Sequence, residues 1–129
     1  MIAVDTNLLV RLLTRDDPNQ AKRAARIMTN DDIFIPKTVM LETEWVLRHA
    51  YGIGKDAILK GLQKTMGLPN VSVEDQQTVF RAMSWYGLGL DFADALHLAS
   101  AMKVDKFATF DKAFIKKAQE LTSIDIMLP

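Results

Sequence analysis

Four acidic residues, Asp5, Glu42, Asp94 and Asp111, stand where the surrounding sequence makes them candidates for metal or acid–base chemistry. Asp5 directly follows the apolar run Ile2-Ala3-Val4, and Asp111 follows Phe107-Ala108-Thr109 after one intervening residue. Each is therefore expected at the carboxyl end of a strand, where a helix opens. Aspartate is also a favoured helix N-cap, so each carries two readings, cap or site. Two strands that each deliver an acid to one sheet edge are a rarer coincidence than a single one. Asp91 and Asp94 open an alanine-rich stretch; Asp91 reads as a cap and Asp94 as a carboxylate favoured by the helix dipole. Ala93, Ala95, Ala99 and Ala101 keep that helix slim, so its first turn can approach other backbone closely. Glu42 lies mid-helix and cannot be a cap. Its neighbour Glu44 has Arg48 four residues on, in the acid-first order that suits a helix, whereas Val46 holds that position for Glu42. With Val39 and Trp45 three residues to either side, Glu42 is expected on an apolar face, where an unmatched carboxylate costs several kcal/mol.

Magnitudes say what such acids would need. Two carboxylates ~4 Å apart repel by about 4 kcal/mol at an effective dielectric near 20. Several such pairs would rival the ~5–15 kcal/mol that holds a domain together. If the acids converge, they must hold protons or bind cations. An all-oxygen set suits Mg²⁺ or Mn²⁺, whereas zinc prefers His or Cys. The chain has no cysteine, which excludes thiolate zinc sites, disulfides and cysteine nucleophiles and suits a reducing compartment. His49 and His97 are the only histidines; both read as structural or surface residues, with His97 one turn beyond Asp94 at a possible site edge. No glycine-rich phosphate loop or serine nucleophile elbow is present, and Gly52, Gly54, Gly87 and Gly89 read as helix stops. Thr109, two residues before Asp111, either orients a ligand or simply ends a strand.

The elements that must position these residues alternate in type. Apolar runs at Ile2–Val4, Ile33–Ile35, Val71–Val73, Phe107–Thr109 and Ile124–Leu128 read as short strands. Helical patterns run from Leu8 to Leu13, onward from Pro18 and over Thr38–Tyr51, Lys55–Met66, Asp75–Tyr86, Asp91–Lys103 and Asp111–Leu121. Strands alternating with helices imply an α/β fold with a parallel sheet covered on both faces, and ligands in such sheets bind beyond the carboxyl ends of the strands. The 129 residues fit one domain spanning 1–129, with no internal repeat, low-complexity tract or linker. A hydrophobic fraction of 49% and a charged fraction of 25% are those of an ordinary soluble protein. The formal net charge is zero, so any attraction to a polyanion must come from a local patch. The N-terminus has no basic region followed by a long apolar stretch, and no window approaches the ~20 apolar residues of a membrane span. The expectation is a soluble cytoplasmic protein.

Read together, Asp5-Thr6-Asn7 after an N-terminal strand, Leu41-Glu42 early in a long helix, Asp91-Phe92-Ala93-Asp94-Ala95-Leu96-His97, and Thr109-Phe110-Asp111 resemble the PIN-domain nucleases, in particular the VapC-type toxins of toxin–antitoxin pairs. The likeness runs through nearly the whole chain. It implies a three-layer α/β/α sandwich with a mostly parallel sheet of four to five strands. It also implies that Asp5, Glu42, Asp94 and Asp111 form an acidic quartet, with Asn7 and Thr109 as supporting polar residues. The activity implied is Mg²⁺- or Mn²⁺-dependent endonucleolytic cleavage of RNA. The partners implied are an antitoxin protein and a second copy in a homodimer.

Binding RNA would require cations near the acids. Arg11, Arg15, Lys22, Arg23 and Arg26 cluster early, and Lys112, Lys116 and Lys117 flank Asp111. Arg11, Arg15, Lys112 and Lys116 are the foremost candidates, against the ordinary alternative of solvated helix faces. Two rival readings remain. A phosphoryl-transfer or receiver-like domain also gathers acids at a sheet edge, although Asn7 stands where a phosphatase would want a second acid. A non-catalytic binding module on the same fold is the other.

Overall fold

The computed structural model describes residues 1–129. Five short strands and seven helices follow one another: β1 (Ile2–Ala3), α1 (Thr6–Thr14), α2 (Pro18–Asn30), β2 (Ile33–Ile35), α3 (Lys37–His49), α4 (Lys55–Met66), β3 (Val71–Val73), α5 (Gln76–Gly87), α6 (Phe92–Ser100), β4 (Lys106–Ala108), α7 (Lys112–Leu121) and β5 (Asp125–Met127). The class is the expected α/β fold with parallel pairing, with the five strands in sheets of three and two rather than in one sheet of four to five. Every strand pairing is parallel: β1 with β2, β2 with β3, and β4 with β5. Parallel neighbours need a crossover, and helices supply each one. No helix is long and apolar enough to cross a membrane.

The chain divides into two compact units, Met1–Gln76 and Gln77–Pro129. The first holds the three-stranded sheet in the order β1-β2-β3. Ile33 and Ile35 of the central strand β2 are fully buried, as two-sided burial of a parallel strand demands. α1 packs on both α2 and α3, and α3 packs on α4. The apolar residues of this unit include Leu9, Val10, Met40, Leu47, Ile58 and Leu62, all at most 2% exposed. Burying a side chain of this size contributes about 1.5–3 kcal/mol of transfer free energy.

The second unit holds the two-stranded sheet β4-β5. Its buried residues include Val79, Met83, Trp85, Tyr86, Phe92, Leu98 and Phe114. Tyr86 and Phe92 meet edge to face with centroids 5.3 Å apart, a favoured aromatic geometry. Gly89, between α5 and α6, adopts φ +110, and a Cβ there would come within 3.0 Å of Lys117 Cε. α6 stops at Ser100, short of the Lys103 boundary expected from the alanine pattern. The Ala101 N–H bonds to the Leu98 carbonyl, and the Val104 N–H to that of Ala101, so the chain leaves the helix through tight turns.

Candidate active site

In the first unit, Asp5 follows β1 at its carboxyl end and caps α1, its Oδ1 accepting the Leu8 N–H at 3.1 Å. The cap reading of Asp5 holds, and the cap bond employs one carboxylate oxygen while the other is outside it. Thr6, the first residue of α1, is buried, and its hydroxyl donates to Glu42 Oε1 on α3. The residue next to Asp5 thus holds Glu42 across 36 positions of sequence. Thr6 was not among the residues singled out by sequence. A threonine at the first position of a helix already capped by aspartate is the one trace it left.

The expected setting of Glu42 requires correction. The buried face of α3 carries Met40, Thr43, Glu44 and Leu47, while Glu42 lies on the exposed face. Val39 is only half-buried and Trp45 is 55% exposed, so the residues three to either side did not mark an apolar surface. The buried carboxylate is that of Glu44, 1% exposed, which takes a two-pronged bond from Arg48, Nε to Oε2 at 2.8 Å and Nη2 to Oε1 at 3.3 Å. Desolvation therefore does not force a cation onto Glu42. What fixes this carboxylate is the Thr6 hydroxyl.

A bond from outside the ligand set typically governs metal affinity or activity by about 10–100-fold. Thr6→Val is accordingly expected to lower any metal-dependent activity within that range, and Thr6→Ser to restore most of it. Equal activity in the Val variant and the wild type would show that the Thr6 bond serves folding alone.

In the second unit, Asp91 caps α6, accepting the Asp94 N–H at 3.3 Å. Asp94 is half-buried in the first turn. Its carboxyl is raised above its ordinary value, first by burial and then by the negative charges of Asp91 and Asp111, with His97 opposing. Asp94 and Asp111 thus feel each other, the kind of repulsion a cation relieves. Asp111 caps α7, its Oδ1 accepting the Phe114 N–H at 3.0 Å, and its own N–H donates to the Thr109 hydroxyl at 3.1 Å. Thr109, the residue after β4, therefore orders the turn that presents Asp111.

Because Asn caps as well as Asp, Asp111→Asn separates the two roles of this residue. Asp111→Asn is expected to hold thermal stability near wild type, whereas Asp111→Ala loses about 0.5–2 kcal/mol. A loss of activity in the Asn variant would then report on charge rather than on the cap.

Of the basic residues considered for RNA, Arg11 is engaged through its Nε and Nη1. Its Nη1 reaches both Asp16 oxygens at 3.1 Å and the Tyr51 hydroxyl at 2.9 Å, and its Nε bonds to Gln20 at 2.8 Å. The Tyr51 hydroxyl in turn donates to Asp16 Oδ2 at 2.6 Å, and the network holds Asp16 below the usual carboxylate range. Arg15, Lys112 and Lys116 are exposed. Asn7 lies beside Leu8, Arg11, Gln20 and Arg23 on a groove between α1 and α2.

No three His, Asp or Glu side chains form a ready-made cage for one ion. That does not disqualify Mg²⁺, which takes one or two carboxylates and completes its shell with water and substrate phosphate. These candidate donors are all oxygen, and the charges of Asp91 and Asp111 add to burial in raising the Asp94 carboxyl, with His97 opposing. These residues fit a hard divalent cation rather than zinc.

A PIN-domain family model matches residues 2–120, and the chain belongs to the PIN-domain family. The match spans both compact units and contains all four candidate acids. Among solved structures, the chain is similar to VapC20 of Mycobacterium tuberculosis, described as a sarcin-ricin-loop-cleaving toxin. The identity is 21%, with 90% of this chain and 94% of that chain covered at a TM-score of 0.45. Comparison with curated proteins gives no match.

Proposed function

We propose that the chain is a Mg²⁺- or Mn²⁺-dependent endoribonuclease, the toxin of a toxin–antitoxin pair, and that residues 1–129 work as one nuclease domain. Asp5, Glu42, Asp94 and Asp111 supply the metal-binding carboxylates, with Asn7 and Thr109 in support. The observation that carries this reading is the PIN-domain match from residue 2 to residue 120. The raised carboxyl of Asp94 beside two further acids supports it.

Bound metal would lower the pKa of a water and stabilise charge building on a scissile phosphate. The protein's own residues have distinct tasks. Asp5 and Asp111 each keep one carboxylate oxygen outside the cap bond. Thr6 holds Glu42 in one orientation. Either Asp5 or Asp94 would also accept a proton from the attacking water. Exposed cations such as Arg15, Lys112 and Lys116 attract the RNA backbone, so affinity falls as salt rises. A homodimer and a small inhibitory antitoxin complete the proposed assembly, with an RNA substrate placing its work in the cytoplasm.

The test is incubation of the purified chain with structured transfer and ribosomal RNAs, with Mn²⁺ or with chelator. Discrete internal cuts that need the metal are expected. Cleavage untouched by chelator would overturn the mechanism, and a phosphorylated Asp5 would favour a phosphoryl-transfer domain instead.

A further inference from the structure

Four residues of α3 are exposed: Thr38, Glu42, Trp45 and His49. Their spacing of four, three and four places them in one stripe along the helix. Trp45 therefore stands one turn from Glu42, about 5 Å along the axis. Glu42 and Trp45 thus share one exposed face of α3, and both side chains are open to solvent. The Trp45 indole meets the His49 ring one turn on, with centroids 4.9 Å apart and planes tilted by 40°.

We propose that Trp45, in contact with His49, is a stacking platform for a nucleobase of the RNA strand whose phosphate lies at Glu42. This rests on the ribonuclease reading of Glu42 given above. The chemistry of the stripe favours a nucleotide over a second protein copy. A helix-packing seam repeats apolar residues, whereas this stripe offers a hydroxyl, a carboxylate, an indole and an imidazole. Covering Trp45 with an apolar partner surface would also desolvate Glu42 one turn away, at the cost that attends any buried unpaired charge. A base presents a π-face to the indole while its sugar and phosphates remain wet. Stacking of this kind tolerates any base, so it would add affinity and alignment rather than sequence choice. Tryptophan, with the largest ring face of any side chain, suits this role, and the polar Thr38 and His49 keep the flanks of the platform hydrated.

The experiment measures binding of a short single-stranded oligoribonucleotide to the full chain carrying Asp94→Asn, which stops cleavage and leaves α3 intact. Intrinsic fluorescence reports the contact, because Trp45 is exposed while Trp85, the other tryptophan, is buried. Expected are quenching on addition of RNA, binding weakened about 5- to 150-fold by Trp45→Ala, and near-normal binding in Trp45→Phe. The same oligomer made abasic should bind both proteins alike. Trp45 is a positioning residue, so in the otherwise wild-type chain Trp45→Ala should raise KM more than it lowers kcat. Unchanged RNA binding in Trp45→Ala overturns the proposal. So does a shift of that variant from dimer to monomer in sedimentation with RNA affinity retained, which would assign the indole to a second copy. If Trp45→Ala binds normally while the wild-type chain cleaves RNA with metal, the platform falls and the nuclease reading stands. If the wild-type chain neither binds nor cuts RNA, both fall together.

Discussion

Asp94→Asn is expected to lower RNA cleavage by about 10²–10⁴-fold, the range for loss of a positioned acid–base or electrostatic group, while the fold persists. The same substitution should make the protein slightly more stable at neutral pH. In the folded chain the Asp94 carboxyl is raised by burial and by the charges of Asp91 and Asp111. A carboxyl raised on folding binds more protons folded than unfolded, so its contribution to stability is full at acid pH. That contribution is lost as pH climbs from the ordinary aspartate range through the raised folded value. Above that value the wild type carries an ionised, repelled Asp94, and the amide does not. The stability gap between variant and wild type should therefore be absent in acid and open toward neutrality. Its size should stay below about 1 kcal/mol, because Asp94 is partly exposed and solvent screens it. Added Mg²⁺ should narrow the gap by stabilising the wild type, which binds it better. Thermal unfolding measured across pH, with and without Mg²⁺, checks each part. A variant less stable than wild type at neutral pH would mean that Asp94 is held by favourable contacts rather than by repulsion.

The second large effect concerns stability alone. Arg48→Met should destabilise the chain by about 3–5 kcal/mol, because it strips the guanidinium from a carboxylate that is 1% exposed. Glu44→Gln should cost clearly less, since the Arg48 side chain is 28% exposed and its head can turn to water. The asymmetry is the informative part. It separates a buried charge that depends on its partner from a surface pair worth well under about 1 kcal/mol. Chemical denaturation of the two variants measures it directly, and equal small losses would show that Glu44 does not depend on Arg48.

These expectations also show how far sequence carries. Element positions were legible where periodicity and punctuation agreed: Lys55–Met66 lies between Gly54 and Gly67, and Asp17 caps α2 ahead of Pro18. The Glu44–Arg48 pair was legible from spacing, though its burial was not. Glu42 was placed on the wrong face because Val39 and Trp45 are apolar in kind, and kind does not fix exposure. The register of α3 is set by Met40, Thr43 and Leu47, which leaves the indole in water. The Thr6–Glu42 bond and the Arg11–Asp16–Tyr51 network were invisible for another reason. They join residues 35 to 40 positions apart, and no local pattern encodes such a meeting. For Asp5 and Asp111 the cap reading was legible and holds, and each cap bond occupies one carboxylate oxygen, so capping alone does not decide the second reading.

Binding of Mn²⁺ to the purified chain, followed by the loss of its free-ion resonance signal during titration, asks whether these carboxylates hold a divalent cation. The wild type should bind Mn²⁺, and Glu42→Gln and Asp94→Asn should each bind it more weakly while unfolding at temperatures close to that of the wild type. A wild-type titration indistinguishable from those of both variants would contradict the account.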